Sequence, residues 1–345
     1  MSRRTLTLLL ASLLALALTG AAVGTPVPYV ALGPGPTYNT LGDVEGTPVI
    51  AITGTEVFPT DGHLDLTTVG VDPSLTLLEA LRGWFDRDLA VVPRDVVYPP
   101  DKTDEQVNEE NAASMVASQS SAVTAAARQL GFDTFRVTVR EVAAGSPSDG
   151  RLEVGDVLLT VDSAPVADEA GLRAAITAAG VGAALEVGYQ RGGTRGVATV
   201  TTRSSGGDEP RPVIGITPAE APADLPFEVD ITLEEVGGPS AGLMFALGIL
   251  DKLGKASLTG GKYVAGTGEI TSDGTVGPIG GITQKLIAAR GKGADVFLVP
   301  QDNCAEASVR PPSGLLLLRV ASLSDALTGL EAVRRGTAPE LCSAP

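Results

Sequence analysis

Ala241 to Leu253 is an apolar run interrupted only by Asp251 and Lys252, with the length and composition of a buried helix. Such a helix needs a core around it. A chain of 345 residues that is 43% hydrophobic has room for two domains and a tail, each with a real core. Immediately before the run stands Gly237-Gly238-Pro239-Ser240, which places one hydroxyl among small residues at the helix start. Ser caps exposed amides and Pro suits a first turn, so a plain helix start explains the pattern. A second explanation is catalytic: Gly237 and Gly238 let backbone approach a substrate, and amides at the helix start stabilise an oxyanion. The six residues alone leave both readings open.

A serine nucleophile needs a base, and the chain has one histidine, His63, placed beside Gly62 where a strand begins. A strand-end turn accounts for it. Lysine serves as base when its surroundings make it neutral near physiological pH. Lysines occur only at 102, 252, 255, 262, 285 and 292. Lys285 falls at the start of a second expected helix, flanked by Ile282, Leu286 and Ile287. The helix dipole and apolar neighbours both lower a lysine pKa there. The ordinary fate of a lysine is a solvated surface position.

Spacing joins these pieces. Gly238-Pro239-Ser240-Ala241-Gly242, Thr267-Gly268-Glu269-Ile270, Pro278-Ile279-Gly280-Gly281 with Lys285, then Val299-Pro300 and Asn303 together resemble the proteolytic domain of Lon. The resemblance implies that Ser240 is the nucleophile and Lys285 its general base. It also implies that Thr267 hydrogen-bonds near the lysine and orients it, although a turn residue in a glycine-rich loop is the plainer role. Gly238 and Ala241 are supporting candidates, as amides around the oxyanion. Glu234, Glu235 and Glu269 are candidates to tune the lysine, with surface carboxylates as the default. Ring-like homo-oligomers are a further implication of the resemblance.

The formal charge of -16 argues against nucleic acid and anionic lipid as electrostatic partners. Cys304 and Cys342 lack CxxC spacing, and with one histidine no zinc site is expected. Outside the cytoplasm a Cys304–Cys342 disulfide pinning the tail is favoured over two free thiols. The compartment is set by the N-terminus: Arg3 and Arg4 precede the charge-free run Leu6 to Val23. This is a signal peptide or a single membrane anchor, and its length favours the anchor, with the arginines cytoplasmic and the bulk of the chain extracytoplasmic. Cleavage would make the chain secreted.

Between these landmarks, Pro- and Gly-rich residues 25–48 read as an extended linker, and Val49 to Val57 as a first strand. His63 to Val71 alternates as a strand, Ser74 to Arg87 has a helical period, and Glu105 to Gln129 is a long helix. Phe135 to Val142, the turn Ser146-Pro147, and Leu152-Glu153-Val154-Gly155-Asp156-Val157 resemble a bacterial PDZ domain over residues 128–203. Such a domain binds an extended peptide as an added strand, and its carboxylate loop is expected near Leu130-Gly131-Phe132. A PDZ that gates the protease is the alternative. Ile214 to Thr217 and Phe227 to Leu233 read as short strands leading to Ser240.

The expected architecture is a membrane helix or signal at 1–24 and a linker at 25–59. An α/β (α+β) Lon-like domain follows in two parts, 60–127 and 210–336, with a mainly-β PDZ domain inserted at 128–203 and a tail at 337–345. The nearest approach to a nucleotide-binding loop, Gly254-Lys255-Ala256-Ser257, has Ala after Lys and Ile249 where the first Gly should stand. No cofactor is expected. The whole resembles the membrane-anchored Lon-like proteases of Gram-positive bacteria, which implies an ATP-independent serine endopeptidase acting on protein or peptide segments. A non-enzymatic, membrane-tethered peptide-binding scaffold is the rival. A β-lactamase-like Ser-x-x-Lys acyltransferase fails at Leu243.

Overall fold

The computed structural model describes residues 3–132, 134–206, 210–233 and 236–343. Helix α1 (Arg3–Gly24) leads into strands β1 (Tyr29–Asn39), β2 (Ile50–Thr53) and β3 (His63–Asp72). Helix α2 (Leu77–Phe85) and strand β4 (Ala90–Pro93) precede the long helix α3 (Asp104–Gln129). Capping boxes at Thr76 with Glu79 and at Thr103 with Gln106 fix where α2 and α3 begin. Next come β5 (Phe135–Val142), β6 (Val157–Val161), α4 (Glu169–Ala179), β7 (Ala184–Arg191), β8 (Thr194–Thr201), β9 (Ile216–Pro222) and β10 (Glu228–Ile231). Helix α5 (Gly242–Leu253), β11 (Tyr263–Gly266), α6 (Ile282–Gly291), β12 (Val296–Pro300), β13 (Leu316–Val320) and α7 (Leu323–Arg335) complete the chain.

The larger unit is built on a six-stranded sheet of order β13-β12-β11-β3-β1-β4. Its four strands from β13 to β3 are parallel, and β1 and β4 add antiparallel at one edge. Alternation along these strands sorts the core into two layers. Leu64, Leu66, Val264, Val296, Leu298 and Leu318 face α3, α5 and α7. Ala265, Phe297, Val299 and Leu317 face α6 instead. Helix α5 is buried along nearly its whole length, as its all-round apolar sequence requires.

One sequence expectation fails here. Residues 25–59 are not a linker, because 29–39 form β1, seated between β3 and β4 with Val30 and Ala31 buried. The prolines hid it. Pro34 and Pro36 lack amides, and the register with β3 shifts between Pro34 and Thr37 to accommodate them.

The smaller unit is a sheet of order β8-β7-β6-β5-β9, with α4 packed against it through Leu172 and Ile176. Buried Asp156, from the Gly-Asp-Val element, accepts two bonds of 2.7 Å from the Arg191 guanidinium and ties β7 to the turn before β6. A second correction belongs here. Strand β9, expected to serve the Lon-like domain, pairs with β5 over Ile216 to Pro222 and forms this sheet's edge. The inserted unit therefore extends past 203 in space, and β9 is the bridge back. At the other end of the chain, Cys304 and Cys342 are disulfide-bonded with Cα atoms 5.1 Å apart, and the Cys342 amide donates to Leu317 O. The tail is held against β13.

Candidate active site

Ser240 lies in the turn that enters α5, and its position is fixed from three sides. Its carbonyl accepts from the Gly268 amide at 2.8 Å and from Thr267 Oγ1 at 2.9 Å. Helix α3 holds the preceding residues: Ser118 Oγ donates to Pro239 O at 2.9 Å, and the Gly238 amide donates to Asn111 O at 2.8 Å. Glycine is required where these segments cross. Gly238 has φ +85°, and a Cβ on Gly242 would come within 2.7 Å of both Ile270 and Ser118.

Lys285 is the fourth residue of α6 and is 3% exposed. Its Nζ lies 2.8 Å from Ser240 Oγ and 2.8 Å from Thr267 Oγ1. Burial lowers its pKa from 10.5 to about 7, against an opposing pull from the Glu269 carboxylate. For the neutral amine, one proton arrangement allows base chemistry. The Thr267 hydroxyl spends its proton on the Ser240 carbonyl, so its oxygen accepts an N–H from Lys285. A neutral amine so held has its lone pair left for the Ser240 hydroxyl proton.

These groups open onto a cavity of about 480 Å³ lined also by Thr68, Gly70, Gly237 and Ile279. Asn303 shapes one wall by a paired bond to Ile279, its Oδ1 accepting from the Ile279 amide and its Nδ2 donating to the Ile279 carbonyl, each at 2.9 Å. Strand β11 stops opposite Leu66, so the β3 edge from Thr67 to Gly70 faces the cavity with no strand on that side among the described residues. The amides of Ser240 and Ala241 have no acceptor among the described residues.

The structure thus brings Ser240, Lys285 and Thr267 together, with Ala241 and Glu269 beside them. Gly238 contributes its left-handed turn, but its amide is directed at Asn111 and is not an oxyanion donor. Glu234 and Glu235 lie outside the described residues. His63 lies away from the cavity, stacked on Tyr263 with ring centroids 4.3 Å apart. Asn111 and Ser118 were missed by the sequence reading: Asn111 acts through its backbone carbonyl, and Ser118 is one of many polar residues in α3.

A second cavity, of about 370 Å³, runs between α4 and residues 212–218. Leu172, Ile176, Ile214 and Ile216 line it. The loop before β9 turns at Gly215, φ +79°, and is pinned by Ser148, whose Oγ donates to Ile214 O at 2.7 Å. A PDZ peptide groove lies between a helix and a sheet edge, and here that edge is β9. Leu130-Gly131-Phe132 instead leads out of α3, with Phe132 packed edge-on to Phe227 at 6.0 Å. Residues 130–132 do not line this cavity; the helix and the sheet edge meet at 212–216.

Comparison with known proteins gives two domain matches. Residues 235–325 match the Lon protease (S16) C-terminal proteolytic domain, and residues 106–202 match the PDZ domain. Lon protease 2 of Bacillus subtilis (strain 168) is 32% identical over 114 residues, 33% of this chain and 20% of that protein. Lon protease of Azospirillum brasilense is 39% identical over 93 residues, 26% of this chain and 11% of that protein. This chain thus spans a fifth or less of the length of these curated relatives. Among solved structures, the PDZ domain of the SdrC-like protein from Listeria monocytogenes is similar over 24% of this chain and 85% of its own, at 23% identity and TM-score 0.23. The chain carries a Lon-type serine-peptidase domain together with a PDZ domain.

Proposed function

We propose that the chain is a serine endopeptidase that cleaves extended segments of extracytoplasmic proteins with a Ser240/Lys285 dyad and without nucleotide. The observation that carries this is the buried Lys285 amine, poised near neutrality and 2.8 Å from Ser240 Oγ. Neutral Lys285 takes the Ser240 proton, and the alkoxide adds to a peptide carbonyl. The Ser240 and Ala241 amides receive the oxyanion. Lys285 returns the proton to the leaving amine, and water then cleaves the acyl-enzyme by the same base. The open β3 edge from Thr67 to Gly70 supports entry of substrate as an added strand. Nucleotide independence is supported by the departures from a phosphate loop at Ile249 and Ala256.

The free edge of β9 facing α4 supports binding of a peptide by the PDZ unit. The same geometry supports gating. Helix α3 is bonded to β9 through Thr124 and Arg128, and to the Ser240 loop through Asn111 and Ser118, so one rigid element touches both sites. One helix, α1, is apolar and long enough to cross a membrane, which supports a single-pass anchor.

The test is hydrolysis of casein and of unstructured peptides without nucleotide by wild type, Ser240→Ala and Lys285→Ala. Loss in both variants, with folding intact by circular dichroism, is the expected result. Survival in both sinks the dyad, and inactivity of every form favours a peptide-binding scaffold.

A further inference from the structure

Helix α2 is amphipathic in reverse. Its buried residues are the small ones, Ala80 and Gly83, and a Cβ on Gly83 would come within 2.6 Å of Val91. Its large apolar residues point outward: Leu77, Leu81, Trp84 and Phe85 are 42, 40, 55 and 87% exposed. Their spacing puts all four on one stripe. A contiguous apolar stripe facing outward marks an interaction surface.

Its place in the fold names the partner. Pro26 and Val27, just past α1, pair with Thr76 and Leu75, and the Leu77 amide donates to Thr25 O at 3.3 Å. The first residue of α2 is therefore bonded to the first residue beyond α1. Tyr29 packs edge-on to Trp84 at 5.8 Å. Exposed Val96 belongs to the same end, because the neighbouring Arg94 amide donates to Pro28 O. Helix α1, at 22 residues, is about 33 Å long, enough to cross a hydrocarbon core of about 30 Å. Where such a helix leaves the bilayer, Trp and Tyr are favoured, and a short helix with a Leu/Trp/Phe face lies in the interface.

We propose that α2 seats the body on the bilayer that α1 crosses, with Leu77, Leu81, Trp84 and Phe85 inserted at the boundary between headgroups and acyl chains. This rests on α1 being a retained span. Seating also narrows the substrate. Gly70, on the rim of the catalytic cavity, is seven positions from Leu77, hence no more than about 25 Å from the seat. The segments within reach are those that lie close to the membrane surface.

Trp84 is the single tryptophan of the chain, so its emission reports this face alone. The full-length chain is reconstituted into phosphatidylcholine vesicles, floated on a density gradient, and compared in lipid brominated near the headgroup end or near the methyl end of the acyl chain. The expected result is co-flotation, with Trp84 emission falling about twofold in the shallow-brominated vesicles and less in the deep ones. In Leu81→Ser/Phe85→Ser the quenching should shrink by at least half while α1 keeps the chain on the vesicles. Flotation with Trp84 unquenched by either lipid overturns the seat and leaves the anchor standing. Emission that is blue-shifted yet unquenched means that protein, such as a second copy, covers the face, and this also overturns it. Failure to float removes the anchor and the seat together.

Discussion

Replacing Lys285 with Met should abolish hydrolysis and stabilise the fold, by an amount that depends on pH. The folded site holds the amine at a pKa of about 7, chiefly by burial, against 10.5 for an ordinary lysine. At 1.36 kcal/mol per pK, keeping the ammonium there at pH 6 costs about 5 kcal/mol. Between about pH 7 and 10.5 the unfolded chain binds one proton more than the folded chain, so wild-type stability rises with pH across that window. From pH 6 to pH 9 the rise amounts to about 3 kcal/mol. Methionine has similar length and no charge, and removes both the cost and its pH dependence. Against this, Ser240 Oγ and Thr267 Oγ1 lose their partner, at about 1–2 kcal/mol together. The net gain for Lys285→Met is about 3 kcal/mol at pH 6 and nearly nothing at pH 9. Urea unfolding of both proteins at the two pH values measures the difference, with all shared titrating groups cancelling. A Met variant less stable than wild type at pH 6, or a difference that does not change with pH, would refute the account of Lys285 as a desolvated amine.

Four further outcomes are open to direct measurement. The pH profile of kcat/KM should rise as Lys285 loses its proton, with its midpoint at about pH 7. Because the Glu269 charge raises that pKa, Glu269→Gln should move the rising limb to lower pH. Thr267→Val keeps the volume but removes the hydroxyl that directs the Lys285 lone pair, and should lower kcat by roughly 10- to 100-fold, with Thr267→Ser close to wild type. Reducing the Cys304–Cys342 bond, which closes a separation of 38 residues, should cost about 4 kcal/mol and lower the thermal midpoint under dithiothreitol.

That Ser240, Thr267 and Lys285 would meet was legible because they sit in local motifs: a serine at a helix start, a threonine in a glycine-rich turn, and a lysine one turn into another helix. Folding had only to bring three short segments together, and the spacings of a known domain type said which ones. The disulfide was legible for a similar reason, since two cysteines allow one pairing. What the sequence hid was long-range strand pairing. Strand β1 reads as linker because Pro34 and Pro36 break the alternation, and its place in the sheet depends on partners at 65–72 and 90–93. Strand β9 reads as part of the following domain because Pro218 interrupts it, and a register shift between Thr217 and Pro218 lets it pair with β5. The cavity between α4 and residues 212–218 was hidden for the same reason, since its edge is supplied by that strand. Asn111 and Ser118 act on the Ser240 loop across more than a hundred positions, through α3 packing that no local pattern announces.

The most direct test of the central claim is where, and how fast, a mechanism-based acylation analogue lands. A peptidyl fluorophosphonate applied to the full-length chain should form one adduct, mapped by mass spectrometry to Ser240, at a rate that rises with pH with a midpoint near 7. Ser240→Ala should not label, and Lys285→Met should label at least 100-fold more slowly, as expected when a general base is lost. An adduct on any other residue, or a Lys285→Met protein that labels as fast as wild type, would contradict the account.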